Sequence, residues 1–248
     1  MAELSLTLAY LYPELMSVYG DLGNITALRR RCEWRGIELK IESVDIGQPF
    51  RSEAYDLAFV GGGQDKEQKL VAGDLQGRKG EAIRRAVEAD VVLLAVCGGY
   101  QLFARYYRPA DGPDLPGIGI FDAVTIHKGR RVPRCIGNIA IEWGGDTLVG
   151  FENHGGRTYL GSNCRPLVKV LVGFGNNGED GGEGAVYRNA YGTYLHGSLL
   201  PKNPRFADHL LRLALQRKYG QAELAPLNDK LETRAHGAAV YLAKSKGR

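Results

Sequence analysis

Residues 91–96 read V-V-L-L-A-V, six apolar positions with no polar interruption. A run of that length without alternation is the pattern of a strand covered on both faces, as in a parallel sheet under helices. Residues 4–10 read as a first strand, residues 57–60 form a further strand-length apolar run, and Ile37, Leu39 and Ile41 alternate with polar neighbours as a half-covered strand. Helical spacing lies between these runs. Ile25, Leu28 and Cys32 fall on one side of a helix that Asn24 is placed to cap and Gly36 to end. Ala82, Ile83, Ala86 and Val87 share a face of another, and residues 101–107 and 205–219 are further expected helices. Strand and helix in regular alternation predict an α/β fold: a doubly wound, mostly parallel sheet with helices on both faces.

Past a turn-rich break at 111–116 the expected strands are shorter, at 117–121, 136–142, 147–151, 168–171 and 185–188. Residues 173–184 hold six glycines and are expected to be a loose surface loop. Residues 191–196 form a short alternating strand ending in His196 and Gly197. The expected organisation is one domain over residues 1–220 and a C-terminal extension, helical in character, over 221–248.

Composition narrows the class. The chain has 248 residues, 44% hydrophobic and 24% charged, which suits a globular protein with a sizeable core. Its formal net charge of +4 is mild and its basic residues are scattered, so neither nucleic-acid binding nor insertion into a membrane is expected. Arg29, Arg30 and Arg31 are expected to form a solvated face. The start shows no basic segment followed by an apolar core, no apolar run approaches membrane-spanning length, and none of the four cysteines stands in C-x-x-C spacing. A reduced, cytoplasmic setting is the expectation.

The apolar run at 91–96 ends on Cys97, followed by Gly98 and Gly99. A nucleophile on the turn between a buried strand and a helix is pushed above the carboxyl edge of the sheet, and small flanks let a substrate carbonyl approach. The following helix would favour thiolate over thiol, and the Gly98 N–H is available to an oxyanion. Gly61, Gly62 and Gly63 follow the strand at 57–60, so Gly62 and Gly63 are candidates for the second oxyanion donor. Neither that loop nor residues 73–80 fits a phosphate-binding loop, and no G-x-G-x-x-G links a strand to a helix. No nucleotide site is legible. His196, at the end of its own strand, is the candidate base that takes the thiol proton and returns it to a leaving amine. Cys32, Cys135 and Cys164 are expected to pack.

C-G-G-Y-Q at 97–101 together with Y-G-T-Y-L-H-G at 191–197 resembles the class I glutamine amidotransferases of the cobyric-acid-synthase-like branch, whose domain is flavodoxin-like. Three further stretches are similar to the GatD-type glutaminase subunits of lipid II isoglutaminyl synthases. These are L-Y-P-E-L-M at 11–16 with Y-G-D-L-G-N at 19–24, G-F-E-N-H-G-G-R-T at 150–158, and L-L-P-K-N-P at 199–204. The resemblance covers residues from about Leu4 to Tyr219. It implies that Cys97 forms a thioester with L-glutamine and releases ammonia, with Gly98, Gly62 and Gly63 around the oxyanion. It also implies that Gln101, Asn153, His154 and Gly155 lie where glutamine is held, and that Arg134, or Arg131 beside it, meets the substrate carboxylate. The partner it implies is a Mur-ligase-like, MurT-type subunit in a heterodimer. ATP and magnesium are expected there and no cofactor in this chain. The acceptor would be the α-carboxyl of D-glutamate in the lipid II stem peptide.

One position departs from the pattern. Relatives usually carry an acidic residue two places after the histidine, and here that place is Ser198. A serine accepts a hydrogen bond but supplies no charge to an imidazolium. The resemblance implies that the partner supplies the acid, so weak activity is expected from the chain alone. Residues 10–24 and the tail beyond 221 are the expected docking surfaces. The alternatives are a glutaminase serving another synthetase, such as one of the cobalamin pathway, or a non-catalytic protein of the same fold.

Overall fold

A computed structural model of the chain describes residues 4–18, 20–220 and 223–246. Tyr19 of the Y-G-D-L-G-N stretch and Gln221, the expected start of the extension, lie outside the described residues. The expected strands become the parallel strands β1 (Ser5–Leu11), β2 (Glu38–Val44), β3 (Leu57–Val60) and β4 (Val92–Val96). With Ala190–Thr193 they lie in the order β2, β1, β3, β4, 190–193, all parallel, and Ala185–Tyr187 adds an antiparallel edge. Every residue of β3 and β4 is buried, so both faces of the sheet are covered there. Burial of each Leu or Val on β4 contributes roughly 1.5–3 kcal/mol.

The covering helices are α1 (Leu22–Glu33), α2 (Asp65–Leu75), α3 (Arg78–Glu88), α4 (Gly98–Phe103), α5 (Leu199–Lys202) and α6 (Pro204–Tyr219), with α7 (Lys230–Lys246) beyond them. The α2 helix buries Gln68, Val71, Ala72 and Leu75, a helical stripe that the glycine at 73 disguises in the sequence. The expected helix at 101–107 is in fact α4, which begins three residues earlier and ends at Phe103. Tyr106–Arg108 pairs instead as a strand with Ala123–His127, because tertiary pairing overrides the local helical spacing. Residues 117–121 are not a strand. Their amides run back to the end of α4, with Ile118 N–H on Leu102 O, Gly119 on Ala104 O and Phe121 on Phe103 O.

Two smaller sheets complete the chain. One orders Gly156–Leu160, Ala123–His127, Tyr106–Arg108 and Leu115–Pro116; the other orders Gly182–Glu183, Val168–Val172, Cys135–Trp143 and Asp146–His154. The mostly parallel expectation therefore holds for the central sheet, while the second four-stranded sheet is antiparallel. Cys135–Trp143 and Asp146–His154 are joined through Gly144 and Gly145, both at positive φ (55° and 81°), as a tight two-residue hairpin requires. The α7 helix covers this sheet, burying Ala243 against Ala140 and Val149. No described helix is long and apolar enough to cross a membrane.

Two polar expectations are corrected. Asp21, not Asn24, precedes α1; Asn24 is buried in the first turn, where its Oδ1 accepts the Leu200 N–H at 2.8 Å. Arg31 is not on a solvated face. It is 3% exposed and donates to both oxygens of Asp208 on α6 (2.6 and 2.7 Å) and both of Asp229 ahead of α7 (2.9 and 2.8 Å). Arg29 and Arg30 do stay in solvent beside Glu33. Removing one member of a buried ion cluster strands the others. Arg31→Ala is expected to lower unfolding free energy by on the order of 3 kcal/mol, and Arg29→Ala by less than about 0.5 kcal/mol, both read from denaturant midpoints.

Candidate active site

Cys97 follows β4 with φ 53° and ψ −110°, a strained backbone for a residue with a side chain, and α4 begins at Gly98. The sulfur thus stands on a sharp turn at the carboxyl edge of the sheet. Gly98 and Gly99 lie inside α4, and what they provide is space. A Cβ on Gly98 would stand 3.0 Å from the Gly63 amide nitrogen, and one on Gly99 2.9 Å from the Gly61 carbonyl. The elbow and the glycine loop after β3 are in contact through bare backbone.

The histidine arrives from the neighbouring strand. Parallel register pairs Thr193 with Val96, and the Cys97 N–H donates to Thr193 O at 2.8 Å. Three residues later His196 exchanges two 3.0 Å backbone bonds with Phe151 of the hairpin. Cys97 and His196, both buried, are therefore delivered to the same rim.

The two oxyanion candidates are not equivalent. The Gly62 N–H donates to Asp21 Oδ2 at 3.0 Å, so it is already engaged. The Gly63 amide nitrogen stands beside Gly98. Asp21 is a residue the sequence reading missed, although it stands in the Y-G-D-L-G-N stretch. It is fully buried and fixes the glycine loop.

Burial dominates the electrostatics. It pushes the Cys97 thiol up to about 12, helped by the negative field of Asp21 and opposed by the Gly98 N–H and Arg134. The expected thiolate is opposed by burial, which outweighs the Gly98 N–H and Arg134. Burial also pulls His196 down to about 4, assisted by His154, Lys202 and Arg134. Around neutral pH the pair rests as a neutral thiol and a neutral imidazole.

The glutamine-holding candidates divide. Hairpin register sets Cys135 opposite His154, and beside that pair Arg134 donates to Asn153 Oδ1 (3.0 Å) and Asn153 O (2.9 Å). The Arg134 charge reaches both Cys97 and His196, and Arg131 stays exposed. His154 lies underneath. Its ring stacks on Tyr194 at 3.7 Å and its Nδ1 bonds Gly156 O at 2.7 Å, so it orders the loop. Gly155 is needed for close approach, since a Cβ there would sit 2.3 Å from His127 Nε2. Gln101 is buried and donates to Tyr194 OH at 3.2 Å.

The expected loose surface loop at 173–184 is exposed at 178–181, but the residues on either side of that tip form a buried strap. Asn176, Asn177 and Glu183 are 2% exposed or less. Glu152 accepts the Phe174 and Gly175 amides, and Asn176 bonds both polar groups of Gly184. The glycines concealed this, because the ordering comes from buried Asn and Glu side chains meeting backbone. Among the described residues, no group of three or more His, Cys, Asp or Glu is placed to hold a metal ion.

Residues 7–204 match the CobB/CobQ-like glutamine amidotransferase domain. The chain belongs to that family. It is 43% identical over 218 residues to the lipid II isoglutaminyl synthase (glutamine-hydrolyzing) subunit GatD of Streptococcus pneumoniae, covering 87% of this chain and 83% of that one. The GatD of Staphylococcus aureus is 39% identical over 233 residues, 93% of each chain. Cobyric acid synthase of Pelotomaculum thermopropionicum is 31% identical over 88% of this chain but only 41% of its own length. Among solved structures, a glutamine amidotransferase aligns with TM-score 0.55 at 18% identity over 84% of this chain and 98% of that one. PurLQS from Thermotoga maritima aligns with TM-score 0.59 at 13% identity over 86% and 98%. At such identities these two show the fold alone.

In this member of the family two buried groups pull stability in opposite directions with pH. Burial raises Glu183 from the usual 4.5 to about 7, with Glu152 adding like-sign repulsion. The stability tied to its protonated form is full below about 4.5 and lost as pH rises through 7. For His196 the stability tied to the neutral ring is full above 6.5 and lost as pH falls toward 4. Glu183→Gln removes the first dependence. Its melting temperature relative to wild type is expected to climb between pH 5 and pH 8, as thermal unfolding in matched buffers would report.

Proposed function

We propose that this chain is the glutamine-hydrolysing subunit of a lipid II isoglutaminyl synthase. The observation that carries the reading is the pairing of a cysteine on a strained strand-to-helix turn with a histidine brought to the same rim by the adjacent strand. The GatD relatives, matched over most of their length, point to the same assignment.

In the proposed reaction His196 takes the thiol proton and Cys97 Sγ attacks the side-chain amide carbon of L-glutamine. Negative charge on the former carbonyl oxygen meets the Gly98 and Gly63 N–H groups. The carbon–nitrogen bond then breaks, His196 returns its proton to the leaving nitrogen, and ammonia departs from a γ-glutamyl thioester. Water attacks the thioester carbon, sulfur regains its proton, and glutamate leaves. Arg134, held by Asn153, is suited to the glutamine α-carboxylate as a guanidinium fork.

The ammonia acceptor belongs to the partner. We assign that role to a Mur-ligase-like subunit in a heterodimer, where ATP and magnesium would activate the α-carboxyl of D-glutamate in the lipid II stem. Val18 and Leu22, exposed in the stretch after β1, fit a docking role, whereas α7 spends one face on the second four-stranded sheet. Ser198 strengthens the case for a contribution from outside. Its hydroxyl donates to Gly20 O at 2.5 Å, and it brings no charge. Moving a proton from a thiol near 12 to an imidazole near 4 is steeply uphill. A carboxylate from the partner beside the imidazole would raise the ring and reduce that barrier. The cobyric acid synthase similarity keeps a different acceptor as the second reading, which the identity of the copurifying ligase decides.

A glutamine-analogue electrophile is expected to label Cys97 and spare Cys32, Cys135 and Cys164, as peptide mass spectrometry would show. Labelling elsewhere, or none on folded protein, would count against the enzyme. Ammonia release is expected to vanish in Cys97→Ser and to fall about 10²–10⁴-fold in His196→Ala. The ligase partner should raise the wild-type rate at least about tenfold, equivalent to about 1.4 kcal/mol of barrier; full activity from the chain alone would overturn the partner's part.

A further inference from the structure

Glu183 has no place in the reaction just described, yet its carboxylate is fully buried behind it. One oxygen, Oε1, accepts from Thr193 Oγ1 and from Tyr194 N–H, both at 2.7 Å. Thr193 is the residue whose carbonyl holds the Cys97 N–H, and its hydroxyl also accepts the Leu195 N–H at 3.0 Å. Tyr194 stacks on His154 and its hydroxyl meets Gln101 and Thr158. The next residue but one is His196. One carboxylate oxygen therefore grips the segment that joins the nucleophile to the base.

The grip is itself rigidly mounted. Glu183 pairs with Val168 in the second four-stranded sheet. Gly184 has φ +67°, and a Cβ there would stand 2.5 Å from Gly192 O, so the strap lies directly against the strand that carries Thr193. Asn176 holds both the N–H and the C=O of Gly184. The arrangement is costly. Burial makes Glu183 a weaker acid, and the charge that acts on it is another carboxylate, Glu152. Strongly perturbed buried acids cluster at functional sites.

We infer that Glu183 is a positioning residue for glutamine hydrolysis: through Thr193 and Tyr194 it fixes the placement of the His196 turn relative to the Cys97 elbow. It touches no substrate, and it acts as a hydrogen-bond acceptor. The inference rests on the glutaminase reading above. Displacing a catalytic group by about 1 Å can reduce a rate about 10²-fold while leaving substrate binding nearly untouched.

The test measures kcat and KM for ammonia release by the full chain with its copurifying ligase, for wild type, Glu183→Gln, Glu183→Ala and Thr193→Val. An amide oxygen accepts the same two bonds, so Glu183→Gln should keep kcat within about threefold of wild type. Glu183→Ala should lose about 10²-fold in kcat, and Thr193→Val about tenfold, with KM changed less than about twofold. Thr193→Val preserves shape on a buried strand and decides the matter if Glu183→Ala does not fold. Folded Glu183→Ala or Thr193→Val with wild-type kcat, a loss confined to KM, or no rescue by Glu183→Gln would overturn the inference. A wild-type complex that released no ammonia would instead overturn the glutaminase reading, and this inference with it.

Discussion

The parallel pairing of β4 with Ala190–Thr193 is the constraint on which the site depends. It places Thr193 O on the Cys97 amide and so sets where both chains leave the sheet. The turn after β4 has no freedom to move, because its glycines touch the loop after β3 and its cysteine is locked at positive φ. The segment after Thr193 is fixed from two sides, by the Phe151 backbone in front and the Glu183 carboxylate behind. Catalytic geometry here is a property of strand register, reinforced by a few short polar contacts.

Desolvation is the second theme. The rim buries a thiol, an imidazole and several carboxylates within one edge of the sheet, and burial penalises each charged form. The result is a resting site with little charge on the reacting pair, shielded from water. Backbone amides meet several of the supporting polar groups: Asp21 takes Gly62, Glu152 takes Phe174 and Gly175, and Glu183 Oε1 takes Tyr194. In a low-dielectric interior these bonds are strong and directional, so they position the loops more firmly than apolar packing alone.

Much of this was legible in residue order. An uninterrupted apolar run ending in C-G-G specifies a buried strand and a sharp turn, because only a covered strand tolerates such a run and only small residues fit the turn. The strand expected to end at His196 stops at Thr193, and the histidine is instead placed by its backbone bridge to Phe151. Elsewhere, local signals misled. The Tyr106–Arg108 stretch has helical spacing but finds a strand partner at Ala123–His127. Arg31 looks like its exposed neighbours, and only the placement of Asp208 and Asp229, far along the chain, explains its burial.

Sequence alone therefore determined the strands of the central sheet and the sharp turn that carries Cys97, since strand-length apolar periodicity and turn chemistry are local properties. Tertiary structure decided which glycine amide remains available, that Arg134 and not Arg131 meets Asn153, and that a glycine-rich stretch is a strap carrying Glu183 beneath the site. Each of those depends on contacts between residues distant in the chain, and a buried side chain acquires its partner, and its charge state, only once the chain has closed around it.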